Sequence, residues 1–312
     1  MQALDDAVPA NRKRRKSVPL RISLLQRRAT ERFFPQVVDQ ARERARHLRR
    51  CSKADAEDEI KKMGCWDSLK ERPWKPNRCL PALLRISSQT LGGVCLSMDT
   101  TAAVESARKR GLPFVGRRVN LTIRESLPPR NETEMVELLS YVLFCLKARG
   151  YTVDEGRTSD FAEGRISCWQ SVDRFRTRFV EEGQNQARTM SEDTTGARMR
   201  DLCGRMHVWE LLGSPWAPED CLSCVLDLPD FLGISFSVGT AAAVSLAEQR
   251  KRPFSEREVT LHISGVSLGV EAEAFELLVY IMYCMTLAGF ALSQDVSAWG
   301  RGLLTFRRCK SD

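Results

Sequence analysis

Six cations in one short stretch, Arg108, Lys109, Arg110, Arg117, Arg118 and Arg124, are the residues best suited to a shared chemical task, the binding of phosphate. They form two clusters on either side of a turn between an expected helix and an expected strand, a spacing that would bring them onto one rim. Arginine forks and lysine ammonium groups at such a rim contact phosphate oxygens, each adding to a salt-sensitive affinity. Cations near a helix C-terminus also complement the helix dipole, so a solvated helix end is the competing reading. Arg165, ahead of the last expected strand of this unit, and the run Arg12, Lys13, Arg14, Arg15 and Lys16 extend the basic set. The later counterparts, Arg250, Lys251, Arg252 and Arg257, are diluted by Glu248, Glu256 and Glu258.

Metal-binding and catalytic signals are sparse. Cys221 and Cys224 have the C-x-x-C spacing of a zinc ligand pair, and Cys203 with His207 stand four apart on an expected helix. The corresponding earlier positions are Ile60, Gly64, Cys79 and Ala82, so three of the four lack a ligand there. Buried thiols are therefore expected rather than a metal site, and these four residues are the metal candidates the sequence offers. The histidines are His47, His207 and His262, none beside a nucleophile motif, and no glycine-rich phosphate loop follows a strand. Neither an enzyme nor a cofactor is expected.

The charge is unevenly placed. Residues 1–34 hold 9 Lys/Arg and 3 Asp/Glu, residues 35–173 hold 24 and 19, and residues 174–312 hold 15 and 18. A basic start thus precedes an acidic end, which places polyanion binding on the N-terminal side. Residues 1–30 read as a flexible basic arm. The RKRRK run suits a nuclear-import signal or a nucleic-acid-binding arm, while acid-free, Arg-rich residues 12–30 suit an organelle presequence, against which Asp5 and Asp6 count. No secretory leader is apparent, and Cys95, Cys145 and Cys284 lie in apolar runs, so the 11 cysteines read as free thiols of a reducing compartment. The most apolar run, Leu277 to Ala288, is short for a membrane span and follows Glu271, Glu273 and Glu276.

The elements that must position these residues are written twice. Val119, Leu121, Ile123, Glu137, Leu138, Leu139, Tyr141, Cys145 and Gly150 are answered by Val259, Leu261, Ile263, Glu276, Leu277, Leu278, Tyr280, Cys284 and Gly289. Such self-similarity marks an internal duplication. Upstream, Phe33, Ala41 and Arg42 match Phe179, Ala187 and Arg188, and Trp66 and Trp74 match Trp209 and Trp216. The paired tryptophans are expected to pack the leader helices on the core rather than to stack on bases. Strands are expected at Leu91–Met98, Val119–Arg124, Tyr151–Glu155 and Ile166–Val172, with helices at Thr101–Arg110 and Glu132–Arg149. The second set is expected at Leu232–Val238, Thr240–Arg250, Val259–Ser264, Glu271–Leu287, Phe290–Gln294 and Gly302–Arg308. Thr101 and Thr240 are placed as N-caps, and Gly150 and Gly289 as C-terminal caps. The long helices are apolar around more than one face, which predicts a second contact, with the other copy or a partner protein.

The order of elements, with Val119-Asn120-Leu121-Thr122-Ile123, Glu137-Leu138-Leu139 and Glu163-Gly164-Arg165, and later Val259-Thr260-Leu261, Ser264-Gly265, Glu276-Leu277-Leu278 and Gly300-Arg301, resembles the C-terminal domain of translation initiation factor three. Alba-type nucleic-acid-binding domains share that element order. The resemblance covers roughly residues 91–172 and 232–308. It implies ribosomal RNA binding by basic residues on the sheet and loops. The basic pattern is present in the first copy and thin in the second, tandem copies are unusual for the family, and its N-terminal domain is not recognisable. The expected fold is α/β (α+β): two tandem copies of a β-α-β-α-β-β unit with helical leader segments, arranged as a pseudo-dimer over residues 31–173 and 174–312. The expected function is non-enzymatic RNA binding, with ribosomal or organellar RNA as partner, in a mitochondrion or other organelle or, through RKRRK, the nucleus. The alternatives are a structural subunit of a large assembly, with protein partners, and an Alba-like DNA- or RNA-binding protein.

Overall fold

The computed structural model describes residues 19–86, 94–125, 132–154, 158–192, 201, 203–228, 232–266 and 270–309. The Arg12–Lys16 run lies outside the described residues. The chain is mixed α/β, with two four-stranded antiparallel sheets.

The first half opens with a 32-residue helix, α1 (Pro19–Arg50), followed by α2 (Lys53–Lys61), α3 (Cys65–Leu69) and α4 (Cys79–Ile86). Its sheet and covering helices follow as β1 (Val94–Met98), α5 (Thr101–Lys109), β2 (Arg118–Glu125), α6 (Glu132–Ala148), β3 (Thr152–Val153), α7 (Thr158–Ala162) and β4 (Arg165–Trp169). The second half runs α8 (Val172–Glu192), α9 (Val208–Leu212), α10 (Cys221–Leu226), β5 (Ile234–Phe236), α11 (Val238–Gln249), β6 (Glu258–Ile263), α12 (Glu271–Leu287), β7 (Phe290–Leu292), α13 (Val296–Gly300) and β8 (Leu303–Arg308). The strand orders are β1-β2-β4-β3 and β5-β6-β8-β7.

Several expectations are corrected. A one-turn helix, α7 or α13, stands between the last two strands of each sheet, so the unit is longer than β-α-β-α-β-β. Helix α1 begins at Pro19, inside the segment read as an arm, and carries Pro35 in its interior. Neither expected threonine caps its helix: Ser237 accepts from Thr240 N to start α11, and at α5 Thr101 Oγ1 instead donates to Met98 O. The partner of Gly164 is Gly302 rather than Gly300. Both have positive φ, 71° and 83°, both carbonyls accept from the paired isoleucine, Ile123 or Ile263, and an added Cβ would lie 2.4 or 2.3 Å from that isoleucine's oxygen. Only glycine fits such a crossing. Gly150 and Gly289, with φ of 86° and 79°, do end the long helices as expected.

The strand pattern dictates the layers. Val119, Leu121 and Ile123 on β2, and Ile166 and Cys168 on β4, are buried in the core. On α1, Val37, Val38, Ala41, Ala45 and Leu48 recur at helical spacing as one buried stripe. That stripe lies on α6, and α8 lies in the same way on α12. One further face of each long helix is thus covered by a leader helix of its own half, and α12 also meets the other half as expected, with Val115 in its core cluster and Arg110 paired to Glu273 and Glu276. Leu278 is fully buried there, with Gly183 of α8 against it.

The tryptophans do the packing expected of them. Trp66 and Trp74 meet Tyr141 edge-on at 5.1 and 6.4 Å, and Trp209 and Trp216 meet Tyr280 at 5.0 and 6.5 Å. Each tyrosine hydroxyl donates to the carbonyl of the second tryptophan. All cysteines are free thiols, and Cys145 and Cys284 are buried while Cys95 is half-buried. Among the described residues, no helix is long and apolar enough to cross a membrane.

A buried glutamate stands at the same place in both long helices. Glu137 accepts from Cys65 N at 3.1 Å and pairs with Arg44 of α1 at 3.3 Å. Glu276 accepts from Val208 N at 2.8 Å, but its arginine comes from the other half: Arg110 reaches Glu276 at 3.5 Å and Glu273 at 3.0 Å. Arg110 is thus structural. Burial raises the Glu276 carboxyl above its ordinary range, with the Val208 N–H and Arg110 opposing. Because the folded-state value exceeds the unfolded one, this group favours folding most at low pH and loses that contribution as pH rises through the folded value. Arg110→Ala is expected to cost about 3 kcal/mol near neutral pH, the penalty for stranding a buried charge. Its deficit in urea melts should shrink as the pH is lowered and Glu276 protonates; a deficit that stays the same across the acid range would contradict the role assigned to this pair.

Candidate nucleic-acid interface

The polar face of the first sheet is built by the alternation that buries its other side. Arg118, Asn120, Thr122 and Arg124 of β2 share it with Arg165, Ser167 and Trp169 of β4 and with Cys95 and Ser97 of β1, in a register that sets Arg118 opposite Trp169 and Thr122 opposite Arg165. The Arg118 guanidinium lies over the Trp169 ring at 4.7 Å. Arg118 Nε donates to Asn120 Oδ1 at 2.7 Å, Arg118 Nη2 to Ser167 Oγ at 3.3 Å, and Ser167 Oγ to Asn120 Oδ1 at 3.0 Å. These contacts hold a π surface, a forked cation and small hydrogen-bonding groups in one fixed arrangement. Arg124 is exposed at one end of the face. Arg165 is exposed as well, but its charge is offset by Asp160 at 3.4 Å and Glu163 at 2.5 Å.

Around the edge of β3 opens a cavity of about 680 Å³, lined by Arg42, Arg46, Arg49, Arg117 and Lys147, with Asp154 as its one acid among the described residues and Trp169 on its wall. Arg42 pairs with Asp39 and Arg46 with Glu43, while Arg117 Nε donates to the Gln170 carbonyl at 3.2 Å. Arg49 and Lys147 form no ion pair among the described residues. Burial, then Arg49 and Arg174, hold the Lys147 ammonium below its ordinary range. A concave site with surplus positive charge is what an incoming phosphate neutralises.

The six clustered cations therefore do not form one rim. Arg118 and Arg124 reach the polar face, Arg117 turns into the cavity, and Lys109 and Arg110 line a separate groove with Met206, His207 and Glu276. Arg108 is exposed at the end of α5. Linear neighbours at a helix end diverge because successive side chains point about 100° apart around the axis. Four cavity cations and Trp169 were missed. Arg42, Arg46 and Arg49 stand at i, i+4 and i+7, a basic stripe legible at helical spacing, and Lys147 is the lone cation in the last turn of an apolar helix.

The second half does not repeat this chemistry. Glu258 stands where the first sheet has Arg118, and it forms an ion pair at 3.2 Å with Arg307, in the place of Trp169. Leu303 replaces Arg165 opposite His262, Thr286 replaces Lys147, and Glu192 replaces Arg46. The metal candidates are not gathered either: Cys203 and Cys221 are buried, Cys224 is half-buried, and His207 is exposed and pairs with Glu210 at 3.1 Å. Among the described residues, the donor atoms that do converge belong to His47, Cys51 and Glu59.

Comparison with protein-family models, curated proteins and solved structures returns no match.

A like-charge cluster kept for a ligand should cost stability rather than add to it. Arg49→Met and Lys147→Met are therefore expected to leave the urea midpoint unchanged or slightly raised, within about 0.5 kcal/mol. A loss of more than about 1 kcal/mol would make these cations structural.

Proposed function

We propose that this is a non-enzymatic RNA-binding protein whose RNA contact lies on the first half, across the polar face of its sheet and into the neighbouring basic cavity. The two halves are read as tandem copies of one unit in a pseudo-dimer, similar in element order to the initiation-factor domain, with ribosomal or organellar RNA as the partner class. The observation that carries this reading is the Arg118–Trp169 stack between Asn120, Ser167 and the cavity cations. Single-stranded RNA needs aromatic or guanidinium planes for its bases, polar side chains for base edges, and cations for its backbone. In the second half the Glu258–Arg307 pair occupies the equivalent place and repels phosphate on its acidic side.

A second reading keeps an observation of its own. Among the described residues, the exposed large apolar side chains, Val172, Leu211, Val238, Leu246, Leu287 and Val296, all lie from α8 onward. They favour a protein contact there, as in a subunit of a larger ribonucleoprotein assembly.

Binding to a single-stranded RNA oligonucleotide, followed by anisotropy across a salt series, tests the proposal. Trp169→Ala should lose about 1–3 kcal/mol of affinity, one stacked base. The double variant Arg49→Met, Lys147→Met should flatten the salt slope by about 0.7 per lost phosphate contact. Glu258→Gln with Arg307→Gln should change neither. Affinity independent of salt, or equal losses from the second-half pair, would overturn the reading.

A further inference from the structure

The last turn of α1, the residue that follows it and the last turn of α2 bring three donor atoms of different chemistry to one point. His47 Nε2 lies 3.0 Å from Glu59 Oε1 and 3.6 Å from Cys51 Sγ, and Cys51 Sγ lies 4.0 Å from Glu59 Oε1. Tetrahedral zinc, with bonds of about 2.0–2.3 Å to nitrogen, oxygen and sulfur, holds its ligand atoms about 3.3–3.6 Å apart. The three observed edges bracket that range, so an ion could enter the triangle with shifts of a few tenths of an ångström. Cys51 follows directly on α1, four residues after His47, and its N–H still makes the helical bond to the His47 carbonyl at 3.2 Å, which fixes their separation. Ser52 then starts α2 by accepting from Asp55 N at 3.2 Å, so the turn that carries Glu59 back toward α1 is itself capped.

We infer that His47, Cys51 and Glu59 form a three-ligand site for a divalent ion of the zinc class, with the fourth position open to water. The donor set decides the class. Thiolate and imidazole favour zinc and its first-row neighbours, whereas calcium and magnesium take oxygen ligands. A thiolate and a carboxylate together cancel the ion's charge, and the C-terminal end of α1 presents carbonyl dipoles that favour a cation. The His47 and Glu59 side chains are 61% and 39% exposed, so the site can load from solvent and keep a water. The inference rests on these three residues and is independent of the RNA reading.

Cobalt titration of the full-length, chelator-stripped and reduced protein tests it. One equivalent should produce visible bands of tetrahedral cobalt and a thiolate-to-cobalt charge-transfer band, both displaced by zinc. Cys51→Ser should abolish the charge-transfer band, and His47→Gln or Glu59→Gln should weaken binding at least about tenfold. The double variant Cys224→Ser, Cys309→Ser, which removes the other accessible thiol near a carboxylate and the exposed C-terminal one, should leave the band intact. Circular dichroism of each variant confirms that the fold is retained. The absence of a thiolate band in the wild type, its survival in Cys51→Ser, or its loss in the Cys224/Cys309 variant would overturn the site.

Discussion

A buried carboxylate sits in each long helix, and much of the architecture answers its demand for partners. Glu137 and Glu276 each accept the first N–H of a short helix, which anchors the leader segment to the core. A buried carboxylate also needs a cation, and here the halves differ. The first half supplies Arg44 from its own α1, whereas Met190 stands at the corresponding position of α8 and Arg110 crosses over from the first half instead. The ion pair is therefore shared between the halves, and the second half's core polar group is satisfied by the first. Arg178 adds to this seam, donating to the Tyr151 hydroxyl and the Gly116 carbonyl of the first half.

The same constraint explains how two similar sheets can differ in surface chemistry. Arg110, held by Glu273 and Glu276, is unavailable to a ligand, and Arg165 is largely neutralised by its acids. Among the described residues, the first half gathers the Arg118–Trp169 stack, Arg124 and the cavity cations on and beside one sheet face, whose opposite side is buried in the core. In the second half, a glutamate and an arginine satisfy each other where the first sheet has arginine on tryptophan. The shared scaffold is kept by buried residues such as Tyr141 and Tyr280, and the differences described fall on the outward alternates of the strands, on the leader helices and on the last turn of the long helices.

Much of this scaffold was legible in the sequence because it is periodic and written twice. The alternation of Val119, Leu121 and Ile123 placed β2 and its polar face, and the repeated Gly150 and Gly289 placed the helix ends. The short strand β3 and the one-turn helix α7 were blurred because neither is long enough to show a period. The partner of Gly164 was misassigned because Gly300-Arg301 imitates Gly164-Arg165, and only the positive φ at Gly302 and its carbonyl's bond to Ile263 separate them. Site residues were harder for a physical reason. Cations adjacent in the chain fan out around a helix, so Arg108 parts from Lys109 and Arg110 and none of the three joins Arg118, whereas Arg49 and Lys147, distant in sequence, converge through the packing of α1 on α6.

Ultraviolet crosslinking of the protein to a photoreactive single-stranded RNA, with the attached peptides mapped by mass spectrometry, tests the central claim most directly. The account predicts crosslinks at Trp169 and in the segments of β2 and β4 that carry Arg118, Asn120 and Ser167, with the last turn of α6 around Lys147 as a flank. Crosslinks confined to residues 1–18, or concentrated on β6 and β8 of the second half, would contradict it.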